Sequence, residues 1–272
     1  MTTSRPGSIR ERISQNALQF RVVSVFFSFV VLFALFAFSS KNFLNVQNIK
    51  VIAFNASLLI IVASGEAFVV LTRNLDVSVG SIIGLTGYLI AKTAAAHLFG
   101  GVELILMALM IGALLGALNG LAVAYGRVPS IVATLGTLSI YRGITYIIGH
   151  GIEVPSGALP RWMIRGADAT VLGVPFVVIV AVFIVALLTY LLRSVPLFRR
   201  IYAVGSSPAA AVSYGLRSNR VVLLAYIMCG TLVGLAGFLY ASRVGTITVN
   251  LGRDWEMMAL AAVVLGGVST MG

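Results

Sequence analysis

The sequence predicts an all-α protein, a polytopic bundle of transmembrane helices, and three observations support this prediction. Hydrophobic residues make up 59% of the 272 residues and charged residues only 10%, whereas about a quarter of the residues of a soluble domain are charged. The apolar residues gather into runs close to the roughly 20 residues that a membrane span needs. The charged residues fall between those runs. A chain of this kind exposes its outer surface to lipid.

The N-terminal segment 1–21 is polar and basic, and the apolar run Val22–Phe38 that follows is about long enough to span. A cleavable signal peptide has a shorter apolar core and a small-residue cleavage site, and the pair Ser39-Ser40 does not fit that pattern. We therefore expect a retained first helix. Residues 1–21 are interpreted as a cytoplasmic segment and residues 22–272 as one membrane domain.

Further apolar runs bring the total to about eight segments. Six of them are predicted to span the membrane: Val51–Leu71, Ser81–His97, Val102–Tyr125, Ser130–Ile148, Pro175–Leu192 and Val221–Ala241. The last run, Met257–Leu265, is too short to cross with ease. It is either a re-entrant piece or a span that the end of the chain cuts short.

Lys and Arg in the short loops indicate a cytoplasmic N-terminus, most clearly in the loop 193–220. Within that loop, Ser207 before Pro208 is a typical helix start, and Gly215 is placed to end a short helix over Pro208–Tyr214. The sequence leaves two interpretations of this helix open. It either docks a soluble partner or lies among the lipid headgroups.

Polar residues interrupt three of the predicted spans. A charged group in a membrane usually faces a water-filled cavity or a partner. Glu66 and Arg142 either pair with each other or line a hydrophilic path, and neighbouring hydroxyls and amides favour the path. The candidate path residues are Asn55, Ser57, Ser64, Glu66, Asn119, Thr134, Thr137 and Arg142.

The stretch LTRNLDVSVGSIIG, residues 71–84, places charge and amide between two apolar runs. Irregular polar backbone at such a boundary is tolerated only where protein or water satisfies it. We interpret it as a break between the second and third helices. The candidate break residues are Arg73, Asn74, Asp76, Ser78 and Gly80. We expect Arg73 and Asp76 to stabilise the break without contacting a solute.

Several function classes are excluded or disfavoured by the sequence. The net charge is +11, but the basic residues are scattered without interleaved aromatics or a DNA-binding pattern, which argues against nucleic acid. Cys229 is the only cysteine, and no paired metal ligands are found, so we expect no metal site. No G-x-x-x-x-G-K-[ST] phosphate loop occurs in the chain, so any ATP is expected to be bound by another polypeptide.

Several motifs of this chain resemble motifs of one protein family and occur in the same order as in that family. The stretch Thr72–Ser81 is similar to the signature GG-(I/L)-D-(L/V)-S-V-G-S of permease subunits of bacterial ATP-binding-cassette (ABC) importers for sugars of the ribose, xylose and galactose type. Its T-R-N form resembles permeases for rhamnose and autoinducer-2. Gly116–Gly120 matches G-x-x-N-G, and Val128–Thr137 matches (I/V)-P-x-(F/I)-(I/V)-A-T-L-G-(T/M). The stretches Tyr202–Gly205, Gly234–Gly237 and Ala261–Gly267 are also similar to the family.

The resemblance implies a transport subunit without enzymatic activity, located in the bacterial inner membrane. Such permeases pair with a second permease, dock on ATPase subunits and receive solute from a periplasmic binding protein. The short helix in the loop 193–220 would then contact the ATPase through Pro208, Ala209, Ala210, Ala211 and Gly215. The hydroxyls and amides of the path would offer weak hydrogen bonds to a sugar-like solute.

Two departures from the family are visible. The family carries glutamate in an E-A-A-like run ahead of the glycine, where this chain has Ala209–Ala211. Relatives are expected to continue past Gly267 with roughly two more spans, so helices are expected to be missing at the C-terminal end.

The rival hypothesis is an ion-coupled secondary carrier in which Glu66 carries a proton. Such carriers show matching broken helices in two halves, and the second half shows no convincing counterpart of TRNLDVSVG. A permease relative that no longer transports is the third hypothesis.

Overall fold

The computed structural model describes residues 9–244 and 246–268, and helices dominate this part of the chain. The helices are α1 Ile9–Ser39, α2 Val46–Leu71, α3 Val79–Ala95, α4 Gly101–Ala124, α5 Ser130–Gly149, α6 Arg161–Asp168, α7 Phe176–Ser194, α8 Pro196–Ser206, α9 Pro208–Ser213, α10 Ser218–Arg243 and α11 Trp255–Leu265. Four two-residue strands form two antiparallel pairs: β1 Val154–Pro155 with β4 Thr246–Ile247, and β2 Thr170–Val171 with β3 Val174–Pro175.

The predicted helical membrane bundle is confirmed. Five of the described helices, α2, α4, α5, α7 and α10, are long and apolar enough to cross a membrane. Three shorter apolar helical stretches, Val23–Ser39, Val79–Ala95 and Trp255–Leu265, complete the set. Together they correspond to the apolar segments that the sequence predicts.

Helix ends differ from the predicted bounds where polar residues continue a helix. α1 begins at Ile9, well inside the basic segment 1–21, and α10 runs from Ser218 to Arg243 around the predicted Val221–Ala241. Hydropathy marks where side chains suit lipid, whereas helical hydrogen bonding continues into polar flanks. The division into a cytoplasmic segment and a membrane domain stays a prediction.

Short elements outside the apolar runs were not predicted. α6 and the β2–β3 hairpin lie between α5 and α7, with Leu172 and Gly173 both in the left-handed region at the hairpin turn. The loop 193–220 contains α8 in addition to the expected α9. Elements of this length leave no apolar run for a hydropathy pattern to detect.

The centre of the bundle is the contact between α4 and α10. The backbone of Gly112 lies against Gly230 and Gly234, and that of Gly116 lies against Tyr226 and Gly230. A Cβ atom at Gly112 or Gly116 would collide with a carbonyl group of α10. Small residues allow close backbone approach in lipid, where no hydrophobic drive brings helices together. α10 also packs against α2 and α3, which makes it the central helix of the described chain.

After α10 the chain folds back into the bundle. Val249 lies near Gly149, the backbone carbonyl of Leu251 lies against Gly84, and Gly252 lies against Gly80. The segment 248–254, which we call the return segment, therefore runs along α3 toward its N-terminus. α11 begins directly after it at Trp255. The apolar run 257–265 thus follows a segment that re-enters the bundle.

Candidate functional site

The break between α2 and α3 begins where side chains and an unusual backbone end the helix. The Thr72 hydroxyl donates to the carbonyl of Val69 (2.7 Å), and the Asn74 amide donates to the carbonyl of Thr72 (2.9 Å). Arg73 has a φ of 62°, which is left-handed. A residue in this conformation commonly ends a helix and turns the chain away from its axis. The predicted break therefore lies at the expected place.

Asp76 is the main acceptor within the break. Its fully buried carboxylate accepts from the backbone N–H of Ser78 (2.9 Å) and from the Ser78 hydroxyl (2.6 Å). The side-chain amide of Asn119 on α4 donates to Asp76 Oδ2 (3.1 Å) and to Ser78 Oγ (2.7 Å). Tyr141 of α5 donates to Asn119 Oδ1 (3.1 Å). One carboxylate thus ties the break to two neighbouring helices.

The backbone of the break is also satisfied by side chains of other helices. The N–H of Asp76 donates to Glu66 Oε1 (3.0 Å), and the N–H of Val77 donates to Thr134 Oγ1 (3.1 Å). The N–H of Leu75 donates to the Ser130 hydroxyl (3.3 Å), and the carbonyl of Leu75 accepts from Tyr226 of α10 (3.0 Å). Non-helical backbone inside a bilayer requires such partners. We call the side chains that bond to the break the break network: Glu66, Asp76, Ser78, Asn119, Ser130, Thr134, Tyr141 and Tyr226.

Three candidate path residues belong to the break network. Glu66, Asn119 and Thr134 are fully buried, and the bonds above connect them to Asp76 and the backbone of the break. Their polar side-chain groups therefore form hydrogen bonds within the protein. Among the described residues, neither Glu66 nor Arg142 forms an ion pair, so the alternative in which they pair is wrong.

Other candidate path residues lie apart from the break network. The hydroxyls of Ser57 and Ser64 donate back to their own helix, at the carbonyls of Ala53 (2.7 Å) and Ile60 (2.6 Å). Asn55 is exposed on the surface of α2. The hydroxyl of Thr137 likewise donates to its own helix, at the carbonyl of Thr134 (3.2 Å).

Arg142 belongs to a second polar cluster, on the return segment. Its guanidinium donates to the carbonyl of Leu251 (2.7 Å), and Tyr146, one turn further along α5, donates to Asn250 Oδ1 (3.0 Å). The carboxylate of Glu256 lies against Gly80, and its Oε2 atom is buried without a partner among the described residues. Asn250 is exposed, and Arg142 and Glu256 are partly exposed. We call Arg142, Tyr146, Asn250 and Glu256 the return cluster.

Three members of the return cluster were missed by the sequence reasoning: Tyr146, Asn250 and Glu256. They sit at the end of a helix or in a short polar loop, where polar residues are expected and carry no signal. A signal was nevertheless present, because Asn250, Asp254 and Glu256 precede an apolar run too short to span. Gly80, predicted as part of the break, lies within α3, and its lack of a side chain admits Glu256 and Gly252.

Arg73 connects the break to the end of α8. Its guanidinium donates to the carbonyls of Gly205 and Ser206 at the end of α8, the latter at 2.8 Å. The last carbonyls of a helix lack partners within the helix and carry partial negative charge, which favours a cation there. Phe68 of α2 packs edge-on against Phe198 of α8, which adds an apolar contact to the same junction.

The short helix α9 forms with the predicted caps. The Ser207 hydroxyl accepts from the N–H of Ala210 (3.3 Å), with Pro208 in the first turn. At the other end, the N–H of Leu216 donates to Ala211 and that of Gly215 to Val212, with Gly215 at a φ of 76°. This is the Schellman arrangement, which favours glycine. Ala211 is buried, whereas Pro208 and Ala209 are exposed.

The fold and its polar clusters define a class of protein, a polytopic membrane transporter subunit with a short capped helix between two spans. Comparison with known families gives the assignment. The model of the family described as "Branched-chain amino acid transport system / permease component" matches residues 48–272. The chain belongs to this permease family, and it is a membrane-spanning permease subunit of an ABC importer, as the sequence motifs predict.

Curated relatives agree with the family. The chain is 35% identical over 252 residues to the "Autoinducer 2 import system permease protein LsrC" of Escherichia coli strain K12 / DH10B, which covers 93% of this chain and 73% of the relative. For the protein of the same description from Enterobacter sp. strain 638, identity is 38% over 263 residues, 95% of this chain and 74% of the relative. The Yersinia pseudotuberculosis YPIII protein is 36% identical over 251 residues, 89% and 68% respectively. No solved structure matches the chain.

Proposed function

We propose that this chain forms the translocation path of an ATP-driven importer for a small polyhydroxylated solute of the autoinducer-2 or sugar type. The observation that supports this solute class is the similarity, at 35–38% identity over most of the chain, to permeases described as autoinducer-2 import proteins. The description of the matching family names amino acids instead, so the experiment below compares the two solute classes.

The return cluster is the proposed contact surface for the solute. Asn250 is exposed, Arg142 and Glu256 are partly exposed, and one oxygen of Glu256 is buried without a partner among the described residues. Such groups can exchange hydrogen bonds with the hydroxyls of a polyol. The break network has its polar groups bonded within the chain, and we assign it to structural support. Of the original path residues, Arg142 therefore keeps the role of solute contact.

The ATPase is proposed to be a separate subunit that docks on α9, so this chain itself needs no cofactor and catalyses no reaction. A second permease subunit, a periplasmic binding protein and the lipid bilayer are the other proposed partners. We place the protein in the bacterial inner membrane with its N-terminus in the cytoplasm. The arginines of the loop 193–220 support this orientation, because basic loops favour the cytoplasmic side.

Arg73 provides a route from the docking helix to the membrane. α9 is separated from α8 only by Ser207, and Arg73 holds the end of α8. A displacement of α9 by the ATPase would pull on Arg73 and thereby on the break, whose network reaches α2, α4, α5 and α10. In this mechanism Arg73 is a positioning residue and does not contact the solute.

Uptake into proteoliposomes tests the proposal. The chain is reconstituted with the ATPase and second permease of its own system, and labelled autoinducer-2 is presented with the binding protein. We expect uptake that requires ATP, is inhibited by excess unlabelled sugar-like solute and is unaffected by leucine. Uptake of leucine instead would assign an amino acid importer, and uptake driven by a proton gradient without ATP would establish the secondary carrier.

A further inference from the structure

A cavity of about 360 Å³ lies beside the docking helix, where α8 faces the start of α10. Three arginines contribute to its walls: Arg200 from α8, and Arg217 and Arg220 from the start of α10. Leu197, Leu216 and Val221 form the apolar part of the wall. The cavity is thus basic and apolar at once, which is how a basic pocket between membrane helices holds a phosphate headgroup.

The three arginines have no internal partner among the described residues. None of their guanidinium groups forms an ion pair or a hydrogen bond there, whereas the guanidinium of Arg73 donates to α8 and that of Arg199 donates to the carbonyl of Ser194. The surrounding sequence offers no acid to neutralise them, because no Asp or Glu occurs between Asp168 and Asp254. Three unneutralised guanidinium groups around one cavity repel each other, and a bound anion relieves that repulsion.

The end of α10 adds to the same field. This helix has 26 residues and begins at Ser218, directly between Arg217 and Arg220. The N-terminal end of its dipole carries partial positive charge and attracts anions, although the N–H groups of Ser218 and Arg220 bond to the carbonyls of Leu216 and Arg217. The Ser218 hydroxyl in the same turn is buried and has no partner among the described residues. Guanidinium groups and helix N-termini both recognise phosphate oxygens.

We propose that this cavity binds a phosphate group, supplied by an anionic lipid headgroup or by a soluble phosphate ester. The position favours the lipid, because Val221 begins the apolar part of α10 and the cavity therefore lies at the level of the cytoplasmic membrane surface. A phosphate held here contacts α8 and α10 together, on either side of α9. It therefore stabilises the geometry of the docking helix.

Native mass spectrometry of the purified chain tests the site. Lipid retention is measured for phosphatidylglycerol and for phosphatidylcholine, and glycerol 3-phosphate is added in a separate arm as the soluble ester. The test variant is Arg217→Gln/Arg220→Gln. The matched control is Arg193→Gln/Arg199→Gln, which removes the same charge from the same loop but does not alter the cavity wall.

We expect the cavity variant to bind phosphatidylglycerol at least ~10-fold more weakly while the control changes binding less than ~3-fold, since each basic residue near anionic lipid contributes appreciably. Phosphatidylcholine also carries a phosphate but no net charge, so its retention should differ much less between the forms. Competition by glycerol 3-phosphate, lost in the cavity variant alone, would support the soluble source.

Equal losses in both variants, or no preference for phosphate-bearing anions over phosphatidylcholine, would overturn the proposal. Such results would mean that the arginines act only through the general charge of the loop. Size-exclusion profiles identify any misfolded variant, and Arg200→Gln then serves as the second cavity variant because Arg200 is exposed on α8. The readout is independent of transport, so failure of the solute assignment would leave it interpretable.

Discussion

Two polar regions inside the bundle differ in how their groups are used. In the break network, Asp76 accepts from Ser78 and Asn119, and Glu66 accepts from the backbone of the break. In the return cluster, Arg142 and Asn250 also have partners, but Asn250 is exposed and Glu256 has a buried oxygen without a partner among the described residues. A polar group that is enclosed and paired inside the protein supports the fold, whereas an exposed or unpaired one has hydrogen-bonding capacity left for a solute. Polarity within a membrane segment therefore does not by itself identify a transport path.

The largest effect is expected at the centre of the break network. Asp76→Ala removes the acceptor of Ser78 and Asn119 and leaves buried donors unpaired, at a cost of about 1–3 kcal/mol for each. We expect the variant to fail to accumulate in the membrane, or to unfold at a clearly lower temperature. Membrane yield and thermal unfolding in detergent measure this.

Two further variants sharpen that test. Asp76→Asn keeps the shape of the side chain and one acceptor oxygen, but it places a new amide group against the amide of Asn119. It should therefore lose less stability than Asp76→Ala and keep its solute preference. Glu153→Ala removes an acid from the exposed surface and should leave stability unchanged. A well-folded Asp76→Asn permease with an altered solute preference would contradict the structural assignment of the break network.

The second-largest effect is expected on transport, with the stability of the protein unchanged. Glu256→Gln keeps the size of the side chain but replaces a carboxylate oxygen by a donor. A hydrogen bond to a charged group is worth about 1.5–3 kcal/mol, so uptake should fall by ~10-fold or more while the unfolding temperature stays near that of the unchanged chain. Normal uptake by this variant would remove Glu256 from the path.

A smaller effect is expected at the link between the break and the helices α8 and α9. Arg73→Gln removes a cation that is exposed to water, so we expect its interaction with the end of α8 to weaken by about 1 kcal/mol. The coupling of ATP hydrolysis to solute uptake should then fall about fivefold. More ATP should be hydrolysed for each solute moved, with complex formation intact. Arg127→Gln is the control, because Arg127 is also exposed and left-handed. An equal effect of both variants would exclude a specific role for Arg73.

The smallest effect is expected at Ser64. Its hydroxyl bonds to the carbonyl of Ile60 on its own helix, so Ser64→Ala should change stability by less than about 0.5 kcal/mol. Uptake should also be unchanged. A large loss of uptake would show that Ser64 contributes to the path despite this bond within its own helix.

The sequence was sufficient for the bundle, the break and the short helix α9 because each depends on local patterns. Apolar runs mark spans, T-R-N-L-D interrupts two of them, and the caps of α9 follow from Ser207 and Gly215. The roles of Glu66 and Asn119 could not be predicted in the same way. Whether a buried polar side chain supports the fold or faces a path depends on helix rotation and on which helices are neighbours. The return segment was missed because its position depends on close contacts of Gly80 and Gly84 with a segment far along the chain.

Accessibility to water tests the contrast between the two regions most directly. Asn250→Cys in the return cluster and Ser81→Cys beside the break are labelled in turn with a charged, membrane-impermeant maleimide. The native Cys229 is buried and serves as the internal blank. We predict that Asn250→Cys reacts and that the imported solute slows the reaction, while Ser81→Cys stays unlabelled. Solute-protected labelling of Ser81→Cys together with an inert Asn250→Cys would show that the path runs through the break, contrary to this account.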